Sequence, residues 1–153
     1  MVAGLLHGFS CLRLCRTIGL DLSARGPDLH RAMALPVNDT GDILPPPLRF
    51  ADQTGAVLRS ARLENPATVL SRPEFAARLD DIEARFQPDL MLFDGPAVLE
   101  GGGYMALAPL LDATLLVARA HHTHPDDLSR SRDRVEQFSN LLGVTLNATR
   151  HPR

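Results

Sequence analysis

Lysine is absent from this chain of 153 residues; all sixteen cationic side chains are arginine. That excludes any mechanism needing a catalytic or phosphate-binding lysine. Net charge is only −2, so there is no basic footprint for nucleic acid. One tyrosine, Tyr104, gives no aromatic platform for stacking bases. Two cysteines, Cys11 and Cys15, are too few for a disulfide framework; four apart in a helical pattern, they read as buried thiols of a reducing compartment. No apolar run is long enough to span a membrane. "VAGLLHGFSCL" comes nearest, but no basic residue precedes it, and Arg13 and Arg16 break the run at its end. It reads as a buried helix.

What is present suits one domain, residues 1–153, with a sizeable core. Residues 2–15 carry helical apolar spacing. Thr17 to Leu22 reads as a buried strand, and a short helical turn runs from Pro27 to about Leu35. Residues 36–55, with prolines 45, 46 and 47, read as loop, and 56–62 as strand. The stretch from Asn65 to Phe86 reads as helix, with Ser71 as its N-cap and a stripe of Phe75, Leu79, Ile82 and Phe86. Leu90–Phe93 and Thr114–Ala118 lack alternation, which predicts strands covered on both faces. Tyr104–Leu111 is expected to be helical. A surface helix after Pro125 turns Leu128, Val135, Phe138 and Leu142 inward, and residues 143–147 form a last strand. Strands alternating with helices predict an α/β fold: a mostly parallel sheet sandwiched by helices.

Ligands of such sheets sit beyond the carboxyl ends of the strands. The polar residues there are Asp21, Asp94, Arg119 and Asn147. A strand-end carboxylate such as Asp94 can hold Mg²⁺, usually through water, beside the phosphates of ATP; it can equally cap the Gly95-Pro96 turn. Asp21 could share that metal, with Arg25 and Arg31 close in sequence, or belong to a surface loop with local ion pairs. Gly101, Gly103 and Ala106 match a dinucleotide fingerprint. However, Gly101 comes seven positions after Asp94, and the next strand ends without an acid. A loop that moves with ligand state fits those glycines better. His121, His122 and His124 lack ligand spacing and read as a solvated loop.

Four segments, in order, resemble bacterial tyrosine kinases and related P-loop ATPases of exopolysaccharide synthesis, a group related to MinD and ParA. "RTIGLDLSARGPDLHRAMAL" resembles their strand ending in D-x-D-x-R-x-P. "NPATVLSRPEFAARLDDIEARFQPDLMLFDGPAVL" resembles a helix followed by the Walker B strand and its turn. "LAPLLDATLLVARAHHTHPDDL" and "LLGVTLNATR" resemble the two closing strands. The resemblance implies a P-loop NTPase-like fold binding ATP and Mg²⁺, with Asp94 and Asp21 on the metal side as catalytic acids. It also implies that Arg25 lies at the nucleotide and Asn147 at adenine, and that Gly101–Gly103 sense the nucleotide. It further implies a cytoplasmic protein held at the inner membrane by a chain-length-determinant (polysaccharide co-polymerase) partner, and self-association.

The chain departs from that pattern. "MVAGLLHGFS" resembles the helix directly after the phosphate loop, so the first strand and the loop with its lysine lie outside the 153 residues. Ser23 replaces the second acid, and Gly95 replaces a hydroxyl residue. The tyrosine-rich tail of the kinases is missing. The expectation is a truncated or inactive form of such an enzyme. A non-catalytic docking relative, a partitioning ATPase of the MinD/ParA type and a dinucleotide-binding protein remain as alternatives. A missing first strand would leave unpaired backbone and apolar edges, so the chain should be marginally stable or associate.

Overall fold

The computed structural model describes residues 2–11, 15–22, 29, 32–34, 48–50, 55–59 and 65–147. Helix α1 (Val2–Cys11) leads to strand β1 (Thr17–Asp21). Strands β2 (Leu48–Phe50) and β3 (Gly55–Arg59) come next, then helices α2 (Pro66–Leu70) and α3 (Pro73–Phe86) and strand β4 (Leu90–Asp94). Helix α4 (Gly103–Leu107) continues as a 3-10 turn, Ala108–Leu110. Strand β5 (Thr114–Arg119), helix α5 (Pro125–Phe138) and strand β6 (Leu141–Asn147) complete the described fold. The expected α/β architecture is present.

The strands form two sheets. One has the order β2-β3-β1-β4, the other is β5-β6. β1 runs parallel to both β3 and β4, and β5 runs parallel to β6; only the short β2 is antiparallel, against β3. Among the described residues no strand pairs with the second edge of β4, and β5 pairs with β6 alone.

Side-chain alternation along β1 and β4 divides the core between two faces. On one face Ile18 and Leu20, with Met91 and Phe93, pack against Leu70, Phe75, Leu79, Ile82 and Leu107. On the other, Leu6 of α1 joins Leu29, with Leu92 against them. Gly19 lets α1 come this close: a Cβ there would overlap the Leu6 side chain. α1 therefore covers the face that also carries Thr17 and Asp21.

Several sequence expectations need correction. The 65–86 stretch is two helices. Asn65, not Ser71, is the first N-cap, its side chain accepting from Thr68 N–H at 3.3 Å. Ser71 closes that helix, its N–H bonding back to Ala67 O. Pro73 then holds Arg72 extended and starts α3 afresh. The expected loop of 36–55 contains β2 and the first residue of β3; the rest of it, with prolines 45, 46 and 47, lies outside the described residues.

β4 is packed on both faces, but every residue is only half-buried, and among the described residues one of its edges has no strand partner. β5 is covered on one face alone: Leu116 and Ala118 are buried, while Leu115 and Val117 are exposed. Of the four residues expected to face inward after Pro125, Val135 is buried and Leu128 half-buried. Phe138 is exposed, and Leu142 lies in β6 with 69% exposure.

The β6 strand carries Leu142, Val144 and Leu146, all exposed, and has no described partner beyond β5. Open apolar edges of this kind associate. The chain is expected to sediment as concentration-dependent oligomers. Val144→Lys should raise the apparent dissociation constant by about tenfold or more. A monomer at all concentrations, with a cooperative and highly stable unfolding transition, would contradict the expectation.

Candidate functional site at the strand ends

Two of the four strand-end residues meet through β1 and β4. Asp21 and Asp94 are register partners on adjacent parallel strands. Residues so paired lie on one face of a sheet, about 4.8 Å apart along the hydrogen-bonding direction. Both carboxylates therefore stand on the α1 face at the carboxyl ends of their strands. Leu22 N–H donates to Asp94 O at 3.0 Å and extends the pairing one step past the acids.

The two environments differ. Asp21 is 2% exposed, and its Oδ2 accepts from the Leu29 backbone N–H at 3.1 Å. That bond draws Leu29 over the strand end, where it is buried with Leu6. Asp94 is half-buried and opens onto the Gly95-Pro96 turn. Asp21 thus holds local structure as well as charge, and Asp94 is the more accessible carboxylate.

The opposite ends of the same strands set the register. Arg16 N–H donates to Asp89 Oδ2 at 2.7 Å, and its carbonyl accepts from the N–H groups of Asp89 and Leu90 at 2.9 and 3.2 Å. The Arg16 guanidinium adds an ion pair, Nε to Oδ2 at 3.6 Å. The Asp89 carboxyl is held below its ordinary pKa, chiefly by that backbone N–H and further by the guanidinium. A one-residue slip would put Asp21 and Asp94 on opposite faces.

The other strand-end pair, Arg119 and Asn147, are register partners on β5 and β6. The backbone continues past them, with Ala120 N–H donating to Asn147 O at 2.9 Å. β5 and β4 belong to different sheets, so the structure makes two pairs and not one line of four. Arg25, Ser23 and Arg31 lie outside the described residues. The three histidines are exposed, and no group of three or more metal-ligating side chains occurs among the described residues. Two carboxylates suit Mg²⁺, which uses one or two of them and takes its remaining ligands from water and phosphate.

The glycine triplet has divided roles. Gly101 and Gly102 have φ of 61° and 72°, the left-handed region open to glycine. Gly103 instead provides space: a Cβ there would lie 2.9 Å from both Pro66 Cβ and Pro96 Cγ. It seats the start of α4 between α2 and the turn after Asp94. Sequence spacing did not reveal that contact, because Pro66 and Gly103 meet only in the folded chain. The triplet stands seven positions past Asp94 and so does not form the tight turn directly after the strand that a dinucleotide site requires.

Two consequences are measurable. Asp89→Ala should lower the melting temperature at neutral pH. Because the folded pKa is depressed, the carboxylate stabilises above the unfolded value of about 3.9 and stops doing so as pH falls through the folded value. The gap between wild type and variant should therefore close at low pH in a melting series. Gly103→Ala should cost about 1–3 kcal/mol in denaturant titrations, since both contacts are rigid proline rings.

No protein-family model and no curated protein sequence matches the chain. Solved structures do match. The kinase domain of VpsO is 21% identical with a TM-score of 0.71, over 97% of this chain and 75% of that one. The kinase domain of the Escherichia coli tyrosine kinase ETK is 18% identical with a TM-score of 0.72, over 99% and 60%. MinD from Aquifex aeolicus, in its MinC:MinD complex, is 17% identical with a TM-score of 0.71, over 97% and 63%. The strands, their order and the helices between them therefore follow the P-loop NTPase-like fold shared by bacterial tyrosine kinase domains and MinD-type ATPases.

Proposed function

We propose that these residues form the magnesium side of a nucleotide site in an ATPase or tyrosine-kinase component of exopolysaccharide synthesis. The observation supporting this most directly is the register pairing of Asp21 with Asp94 at the carboxyl ends of adjacent parallel strands, within a fold shared with such kinases. In this reading Asp94 holds Mg²⁺ through water, and Asp21 orders the neighbouring segment and adds negative charge. Arg25 pairs with phosphate, and Asn147 contacts adenine. Mg²⁺ would bridge and neutralise phosphate oxygens when bound.

The phosphates also need a lysine and a backbone cradle. With no lysine in the 153 residues, that half of the site would have to come from residues outside them. The 153 residues by themselves would then hold the phosphates weakly. A second reading, a non-catalytic docking relative, draws support from Ser23 and Gly95, which replace an acid and a hydroxyl residue of the kinase pattern. One structural neighbour is a complex, MinC with MinD. For this chain the proposed partner is a membrane chain-length-determinant protein, with the chain on the cytoplasmic face.

Titration calorimetry separates the readings. The chain itself should show no binding of Mg²⁺·ATP, and submicromolar affinity would overturn that. A fusion placing a strand and a G-x-x-x-x-G-K-[ST] loop ahead of Val2 should bind Mg²⁺·ATP with a dissociation constant on the order of micromolar. Asp94→Asn should weaken that binding about tenfold or more. A folded fusion that binds no nucleotide would favour the docking relative. Preference for NAD over ATP would favour a dinucleotide-binding protein.

A further inference from the structure

Away from the acidic pair, three hydroxyl side chains meet where α4, β5 and α5 converge. Tyr104 lies in the first turn of α4 and is 4% exposed. Its Oη donates to Ser139 Oγ at 3.2 Å and lies 3.3 Å from Thr114 Oγ1. Thr114 Oγ1 and Ser139 Oγ are 2.7 Å apart. Each hydroxyl has one proton to give. With Tyr104 donating to Ser139, one arrangement satisfies all three: Ser139 donates to Thr114, and Thr114 donates to Tyr104. The bonds then run in one direction around a closed ring, in which each polarises the next.

The ring joins parts that no strand pairing joins. Thr114 opens β5, and Ser139 is the C-cap of α5. Tyr104 belongs to the segment after β4 of the other sheet. Beside the ring, Tyr104, Ala108 and Val135 bury one another, with Val98 and Leu141 against them. Arg134 Nη1 donates to Val98 O at 3.4 Å, a second polar tie to the same segment.

α4 itself has five residues and no side-chain cap. Helices this short are not stable without tertiary contacts. Directly before it stand Gly101 and Gly102, both with positive φ and nothing closer than 3.6 Å to an added Cβ. Glycines in that conformation form a hinge at low steric cost.

We infer that the Tyr104–Thr114–Ser139 ring is a latch, and that its opening frees α4 from the β5–α5–β6 unit, with Gly101 and Gly102 taking up the movement. In the latched state α4 is held to the β5–α5–β6 unit; in the released state it keeps only its contacts on the β4 side, Gly103 between Pro66 and Pro96 and Leu107 in the core with Leu70 and Phe75. The latch contains no charged group. The inference rests on this geometry alone and not on the nucleotide reading, so the two can fail separately.

Hydrogen exchange on the 153-residue chain tests it. Tyr104→Phe and Thr114→Val each remove one hydroxyl from the ring. Both should accelerate exchange of the α4 amides by about fivefold, the effect of one net hydrogen bond, with the α3 amides unchanged. Thr114→Ser keeps the hydroxyl and should restore wild-type exchange. Unchanged α4 exchange in Thr114→Val would overturn the latch, as would α3 and α4 accelerating by the same factor. Should the variants not fold, the wild-type chain decides. Tyr104 is its only tyrosine and it has no tryptophan, so ultraviolet-excited emission reports this ring directly. Emission changing at lower temperature than far-ultraviolet dichroism supports the latch; coincident transitions refute it.

Discussion

The parallel pairing of β1 with β4 is the constraint on which the rest depends. Its register brings Asp21 level with Asp94 and gives each face of the sheet one cover, α1 on one side and α2, α3 and α4 on the other. The pairing is held at its start by Arg16 with Asp89 and at its end by Leu22 with Asp94. Parallel strands have no hairpin to fix their register. Here a charge-assisted contact between residues 73 apart in sequence does so. It is mostly solvent-exposed, and the ion pair itself contributes little in water. Its value is geometric: it discriminates between the observed register and a slip that would separate the acids.

Much of this was legible in the sequence. Apolar runs ending in single acids located β1 and β4, and the α3 stripe of Phe75, Leu79 and Ile82 is buried as its spacing required. The acidic pair came from the rule that polar residues at the carboxyl ends of parallel strands gather. Failures came where local signals conflicted or where cover depends on the whole sheet. Ser71 and Pro73 look like one helix start, yet Asn65 with Pro66 had already begun another. β5 reads as a strand covered on both faces, but neighbouring residues along it differ sharply in exposure. An apolar composition states what a strand can be buried against; it does not supply the covering element.

That difference bears on the lysine-free composition. A nucleotide site in this fold class has an acidic, metal-holding half and a phosphate-cradling half. The first is built from side chains at strand ends, the second mostly from backbone N–H groups and one cation. On the proposed reading, the described residues supply elements of the first half only. Asp94 remains half-buried on β4, whose second edge has no strand partner among the described residues, and β5, next in sequence, belongs to a separate sheet. An acidic pair without its cationic counterpart has no strong grip on a polyanion, because like charges repel and Mg²⁺ must be recruited first.

The two sheets are nevertheless joined. A sheet interrupted between β4 and β5 loses the strongest long-range tie available to it, a ladder of backbone hydrogen bonds. In its place stand the small cluster around Val135, three hydroxyls and the bond from Arg134 to Val98 O. Such contacts are fewer and more local than a ladder, so the boundary between the sheets is where this chain should open first. The segment between Asp94 and Tyr104 crosses that boundary. Where a shift of one sheet against the other moves the segment after Asp94, a ligand that fixes that segment stiffens the boundary by the same coupling free energy.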